Sequence, residues 1–250
     1  MPVIVIPMAG ESSRFFKAGY NEPKFMLPLG NETVFDKAVK SFENYFVHGK
    51  FIFVTRKTLK GSKEFVEAHA KALGISKFKV VELEQTTKGQ AETVLKGLFA
   101  LDYEDMDEPL FVFNIDTIRK NLVVNEWSGD WVAMFDAFED KNADETKWSF
   151  CSVEPGTIRI EKTAEKQKIS DYCSTGLYIF KKCWAYMWLY NKALKEDTKY
   201  NYYIAPLYNF IPDTVKSYLL YCKKEDVEFS GVPEEYEELK LKYKNEEKIG

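Results

Sequence analysis

The hydrophobic pattern opens with four consecutive β-branched residues, Val3, Ile4, Val5 and Ile6. An unbroken apolar run of that kind predicts a strand buried on both faces, as in a parallel sheet. Residues 7–28 then carry neither a helical nor a strand period, and a long loop so early in a compact fold predicts a functional segment. Thr33 caps a helix whose apolar positions Val34, Phe35, Ala38, Val39, Phe42 and Phe46 share one face. A strand at 51–54 follows, then a helix capped by Ser62 and ending at Gly74, a strand at 78–81, a helix over 91–101 and a strand at 110–113. Strand and helix alternate through this half. That alternation predicts a doubly wound α/β fold with its ligand site beyond the carboxyl ends of the strands.

After about residue 130 the rhythm changes. Short strands are expected at 131–135, 150–153, 158–161 and 176–180, followed by an aromatic-rich helix over 181–194, a helix over 201–210 and a strand at 215–220. The acidic run Glu234, Glu235, Glu237 and Glu238, followed by Lys240, Lys242 and Lys244, predicts an exposed final helix with its charges ordered along the helix dipole. Trp184, Met187, Trp188 and Asn191 fall at helical spacing, which reads as core or a subunit contact. No Pro/Gly/Ser linker separates the halves, so residues 1–250 are expected to form one domain.

Composition narrows the function. The 250 residues hold 35 Lys+Arg against 39 Asp+Glu, a net charge of −4; sequence-independent binding to nucleic acid needs a basic surface to displace counterions, and is excluded as an expectation. Cys151, Cys173, Cys183 and Cys222 form no CxxC pair and only His48 and His69 could join them, which disfavours both a zinc site and a disulfide framework. The N-terminal apolar run is too short for a signal sequence and no stretch reaches the roughly 18 apolar residues of a membrane span. A cytoplasmic protein with reduced thiols and no membrane partner is expected.

The segment Pro7-Met8-Ala9-Gly10-Glu11-Ser12-Ser13-Arg14, with Pro23-Lys24 beyond it, is the richest in chemistry. Directly after a buried strand its backbone N–H groups can converge on an anion, Gly10 permits close approach, and Arg14 and Lys24 supply the charge a polyphosphate needs. Neither GxGxxG nor GxxxxGK[ST] is present, which argues against dinucleotide and P-loop folds.

This loop resembles the signature of nucleotidyltransferases of the sugar-phosphate pyrophosphorylase type, in which an apolar strand leads into A-G-x-G-[ST]-R and then P-K. Ala9, Gly10, Ser13, Arg14, Pro23 and Lys24 match it, and Ser12 replaces the second glycine. Further segments follow in the family's order. Gln85, Gly89 and Gln90 resemble the segment that reads the nucleotide base. Asn114-Ile115-Asp116-Thr117 resembles the N-G-D-T turn bearing a magnesium-binding aspartate. Ile160-Glu161-Lys162 resembles V-E-K-P, whose lysine contacts the acceptor phosphate, with Thr163 in the proline's place. Ser174-Thr175-Gly176-Leu177-Tyr178 resembles the N-T-G-I-Y of the acceptor pocket. Phe229 stands where a second metal-binding aspartate is expected, with Glu228 or Asp226 as substitutes, or magnesium held by Asp116 and substrate phosphates alone.

The resemblance implies a Rossmann-like nucleotidyltransferase fold: a mostly parallel mixed sheet flanked by helices, with a nucleotide-binding half (1–130) and an acceptor-binding half (131–250). It implies a Mg2+-dependent transfer of a nucleoside monophosphate from an NTP to a small phosphorylated acceptor, releasing pyrophosphate. Arg14, Lys24 and Asp116 would be catalytic, Asp116 also binding the metal. Ala9, Gly10, Glu11, Ser12, Ser13, Gln85, Gly89 and Gln90 would hold the nucleotide, and Glu161, Lys162, Thr175 and Gly176 the acceptor. The PMAG opening is most similar to the capsule-biosynthesis branch of the family, which favours CTP and includes an acceptor as unusual as phosphoglutamine. A sugar-1-phosphate nucleotidyltransferase using UTP or dTTP, a non-catalytic nucleotide-binding subunit, a metal-dependent glycosyltransferase and a homo-oligomer remain as alternatives.

Overall fold

The computed structural model describes residues 1–124, 130–195 and 202–246. In chain order the first half comprises β1 (Val3–Pro7), α1 (Ser13–Lys17), β2 (Pro28–Leu29), β3 (Glu32–Thr33), α2 (Val34–Val39), β4 (Lys50–Arg56), α3 (Ser62–Ala72), β5 (Phe78–Leu83), α4 (Gln90–Leu98), β6 (Leu110–Phe113) and β7 (Thr117–Arg119). The second half adds β8 (Trp131–Glu139), β9 (Ser149–Val153), β10 (Ile160–Glu165), β11 (Tyr172–Phe180), α5 (Cys183–Ala193), β12 (Lys216–Tyr221), β13 (Val227–Phe229) and α6 (Pro233–Glu246).

The main sheet has nine strands and runs β10-β9-β11-β6-β1-β4-β5, with β8 beside β11 and β12 beside β8. β1 pairs in parallel with β4 and β6, and β4 with β5, whereas β11 runs antiparallel to β6, β8 and β9. β12 runs parallel to β8, so the sheet is mixed: parallel through β5, β4, β1 and β6, and antiparallel around β11. The apolar run of β1 follows from this position. Val3 and Val5 pack on one face with Ile52, Val54, Val94 and Tyr186, while Ile4 and Ile6 pack on the other with Phe35, Phe42, Phe51 and Phe53.

The structure revises several expected elements. Ser62 does not cap α3: Gly61, in the left-handed region at φ 77°, holds the cap position, and the Ser62 hydroxyl is buried without a partner. Thr33 does cap α2, in a capping box with Asp36. The helix expected over 201–210 is a 3-10 turn at Ala205–Phe210 within the described residues, since Pro206 denies an interior N–H; Asn201 lies outside them. The strand expected at 158–161 lies at Ile160–Glu165. Trp184 and Trp188 are exposed, so their stripe is not core. The acid-rich final helix is more than a solvated face. Tyr236, Leu239 and Tyr243 bury against Phe15, Leu27, Leu29, Val34 and Ile118, and the Tyr236 hydroxyl donates to the Pro28 carbonyl at 2.7 Å. No helix among the described residues is long and apolar enough to cross a membrane.

Candidate active site

The carboxyl ends of β4, β1 and β6 open onto three adjoining hollows. The middle one, of 290 Å³, is bordered by the loop after β1 (Gly10 to Arg14), by Lys24, and by Asn114 and Asp116 beyond β6. Gly10 is open to solvent, and a Cβ placed on it would meet nothing within 4 Å, leaving that backbone free to approach a ligand. Ser12 takes the left-handed region at φ 49°, a conformation that normally favours glycine. Its Oγ accepts a hydrogen bond from the Lys24 backbone N–H at 3.2 Å. The side chain thus ties the two ends of the loop together and offsets the backbone strain.

Lys24 forms an ion pair and hydrogen bond with Asp116 Oδ2. Burial pushes the Asp116 carboxyl up, but the Lys24 charge and hydrogen bond, with a smaller contribution from Arg14, more than offset it and hold the group below the usual carboxylate range. The turn carrying Asp116 is fixed by backbone: Ser230 N–H donates to the Asp116 carbonyl at 2.8 Å, where β13 pairs antiparallel with β7. Gln90, at the start of α4, donates to the Asn114 side chain. Asn114 also explains Gly176, whose φ is 88° and whose Cβ would lie 2.6 Å from Asn114 Nδ2.

A second hollow, of 390 Å³, lies across the loop toward β4 and β5. It is bordered by Ala9, Gly10, Glu11, Arg56, Thr86, Thr87, Gly89 and Gln90. Gly89 must lack a side chain because Tyr202 packs over it, with Tyr202 Cβ 2.6 Å from where a Cβ would be. Gln85 is exposed, and its neighbours Thr86 and Thr87 line the hollow in its place.

The third hollow, of 580 Å³, shares Arg14, Gln90, Asn114, Asp116 and Gly231 with the middle one and extends under the second half of the chain. Thr175 and Gly176 border it, with Lys147, Trp148, Ser149, Glu165, Lys166, Tyr203, Phe229 and Glu235. Thr175 Oγ1 donates to buried Asp136 at 2.6 Å, and Asp136 is paired with Arg119 Nε at 3.0 Å. Lys166 reaches the Tyr203 hydroxyl at 3.5 Å. Burial raises the Glu165 carboxyl, and the hydrogen bond from Ser149 offsets that only in part.

Glu161 and Lys162 do not join this group. They border a separate hollow with Ser152, Ile169 and Asn209. The pleat explains why. Thr163 and Glu165 face inward together, opposite Cys151 and Ser149, while Lys162 faces the other way beyond a register shift after Ile160. Thr163 is a strand-interior residue whose N–H donates to Asn209 Oδ1 at 2.9 Å, a bond proline could not make. The second acid–lysine pair, Glu165-Lys166, occupies the hollow where the first was expected. An apolar residue before it and strand alternation continued through Thr163 were the available signals.

Phe229 packs against Trp148 at 4.7 Å and Phe138 at 5.6 Å between ring centroids. Neither proposed substitute acid turns toward the site. Glu228 is held by Lys120 at 2.8 Å, by Tyr243 at 2.6 Å and by Lys242, and Asp226 accepts from Asn121 at 2.9 Å.

A mixed α/β sheet with this strand arrangement is the Rossmann-like architecture of nucleotidyltransferases. Solved structures narrow the class. A nucleoside-diphosphate-sugar pyrophosphorylase from Vibrio cholerae RC9 is 39% identical with a TM-score of 0.87, over 95% of this chain and 99% of that one. The chain belongs to that family of nucleotidyltransferases. An inositol-1-phosphate CTP transferase from T. maritima (18% identity, TM-score 0.71, 97% of this chain and 96% of that one) shares the fold. So does a UDP-glucose pyrophosphorylase from Acinetobacter baumannii (15%, 0.71, 100% and 98%). No family model and no curated protein matches the chain.

Proposed function

We propose that this nucleotidyltransferase moves a nucleoside monophosphate from an NTP, with CTP favoured, to a small phosphorylated metabolite used in surface-polysaccharide synthesis, and releases pyrophosphate. The observation that carries this reading is the order of the three hollows. The 390 Å³ hollow suits a nucleobase, the middle hollow, with Arg14 and Lys24 on its wall, a triphosphate, and the 580 Å³ hollow an acceptor, with Arg14 and Asp116 at the junction of the last two. An acceptor phosphate oxygen entering from the third hollow attacks the α-phosphorus and pyrophosphate leaves. A phosphate oxygen is already nucleophilic, so positioning and charge stabilisation supply the catalysis.

In this reading the backbone of residues 10–13 and Arg14 hold the β- and γ-phosphates. Lys24 meets the charge developing at the α-phosphate, a role for which it exchanges its contact with Asp116. Thr86, Thr87, Gly89 and Gln90 surround the base. Lys166, with Glu165, Thr175 and Gly176, takes the acceptor role that the motif comparison gives to Lys162 and Glu161. Both halves contribute to this one site, and β11 of the second half pairs with β6 of the first, which supports a single domain. Four unpaired, buried cysteines support a reducing, cytoplasmic setting.

Asp116 fits a magnesium ion. A Cβ on Gly231 would lie 3.1 Å from Asp116 Oδ2, so glycine adds no side chain beside that oxygen. Once Lys24 exchanges its contact with Oδ2 for phosphate, the carboxylate could serve magnesium, which accepts one or two carboxylates together with waters and substrate phosphates. Bound there, it would neutralise phosphate charge.

The activities of neighbours that share the fold, an inositol-1-phosphate CTP transferase and a UDP-glucose pyrophosphorylase, support CTP with a non-sugar acceptor and UTP or dTTP with a sugar 1-phosphate equally. The aromatic wall of Phe229 and Trp148 beside Lys147 and Lys166 favours an unusual acceptor such as phosphoglutamine. The test is a pyrophosphate-release screen of four NTPs against sugar phosphates and non-sugar phosphates including phosphoglutamine. Release with CTP and a non-sugar acceptor is expected. Release only with UTP or dTTP and a sugar 1-phosphate would install the alternative, and NTP binding without release from any pair would identify a non-catalytic subunit.

A further inference from the structure

Arg56 ends β4 at the wall of the 390 Å³ hollow. Its side chain is only 8% exposed, yet its Nε has no hydrogen-bond partner among the described residues. The contact recorded for its guanidinium is Nη1 at 3.5 Å from Glu11 Oε1, on a glutamate that is itself mostly exposed. Arginine cannot shed its proton to escape this situation. The buried Nε leaves the guanidinium short of partners, and because Arg56 borders the hollow its Nη end is the part that a ligand entering there could engage. The phosphate-directed cations Arg14 and Lys24 line the middle hollow and not this one, whereas Arg56 lines this one and not the middle. Thr87, beside it, already spends its hydroxyl on the Gly89 carbonyl and Thr93.

We propose that Arg56 reads the nucleobase, donating to a ring carbonyl oxygen and its neighbouring acceptor nitrogen, and so selects a carbonyl-bearing base over adenine. This rests on the nucleotidyltransferase reading of the site. Cytosine offers O2 beside N3 and guanine O6 beside N7, whereas uracil offers a carbonyl oxygen beside the N3–H donor and can accept only one of the two bonds. Adenine instead presents an amino donor beside its ring nitrogens, which sets donor against donor at the guanidinium. Glu11, which borders the same hollow and lies 3.5 Å from Nη1, can hold the guanidinium's orientation before the base arrives. The fork geometry matters as well as the charge, because lysine offers a single point donor that cannot span two acceptors.

The test measures, by calorimetry, the binding of CTP, UTP, GTP, ATP and inorganic tripolyphosphate to the wild-type chain and to the Arg56→Lys and Arg56→Met variants. The wild type is expected to prefer at least one carbonyl-bearing nucleotide to ATP by about 10- to 100-fold. Both variants should lose most of that preference while binding tripolyphosphate as the wild type does. Arg56→Lys keeps the charge near Glu11 and serves if the methionine variant fails to fold. An unchanged preference in a folded variant overturns the role of Arg56. So does an equal loss for all nucleotides and tripolyphosphate, which would make Arg56 a phosphate ligand, or a wild-type preference for ATP. A wild type that binds no nucleotide overturns the reading of the whole site, which the tripolyphosphate and pyrophosphate-release measurements report separately.

Discussion

The two sides of this site, proposed for the nucleotide phosphates and for the acceptor, are built by different means. On the phosphate side most of the wall is one contiguous stretch of chain, Pro7 to Lys24, which leaves a buried strand and folds around its own backbone, with Ser12 Oγ receiving the Lys24 N–H as an internal tie. On the acceptor side the wall is collected from β9, β10, β11 and the β13–α6 connection. A side chain's place there depends on which way the pleat turns at each strand. Local sequence can specify the first arrangement and cannot by itself specify the second.

The strongest way to break the comparison is Lys24→Ala. A preorganised charge facing the transition state contributes about 100-fold or more, so pyrophosphate release at saturating substrates should fall by at least that much while far-UV circular dichroism stays unchanged. A variant within about 3-fold of wild type would remove Lys24 from the chemistry.

Next in size is Tyr236→Ala. Tyr236 is almost fully buried against Phe15 and Tyr20, so the nucleotide loop, however self-contained it reads in sequence, leans on the last helix. Deleting a buried aromatic ring should cost about 3 kcal/mol, read as a fall in the urea midpoint. A loss below about 1 kcal/mol would mean that the loop stands without α6.

The two lysines sharpen the contrast on the acceptor side. Lys166→Ala should raise the KM for the acceptor by about 10- to 30-fold, the worth of one charge-assisted hydrogen bond, with the KM for the NTP unchanged. Lys162→Ala should leave both within about 2-fold, as a solvent-facing charge does. The reverse pattern would restore the motif's first acid–lysine pair.

The smallest effect concerns pH. Because burial raises the Glu165 carboxyl above its ordinary value of 4.5, the folded state holds that proton more tightly than the unfolded chain. The associated stability is present below 4.5 and is lost as pH rises through the raised value. Glu165→Gln should therefore gain in urea midpoint relative to wild type as pH goes from about 4 to 8. A difference that stays flat over that range would show that Glu165 titrates as an ordinary carboxylate.

Legibility followed the same division. β1, β4, β5 and β6 were expected within a few residues of where they lie, because helices cover both faces of the sheet there and the apolar runs are continuous. The strand expected at 158–161 lies at Ile160–Glu165, and the motif resemblance, which selects Glu161-Lys162, carries no information on the pleat that brings Glu165-Lys166 to the hollow instead. Gln85 and Thr86 differ by one position in a loop, and only the backbone decides which faces the hollow. Arg56 lies two residues beyond the strand expected at 51–54, with nothing nearby in the chain to mark it.

By itself the sequence determined the class of fold, the alternation that lays out the parallel half, and the Gly10-to-Lys24 loop, because each depends on residues close together in the chain. The tertiary structure alone decided which lysine borders the 580 Å³ hollow, that the charged C-terminal helix is a buttress, that Phe229 joins Trp148 and Phe138, and that Arg56 borders the second hollow. These are properties of register, burial and contact between distant segments. A one-residue change of register turns a strand's side chains to the opposite face while leaving its composition intact.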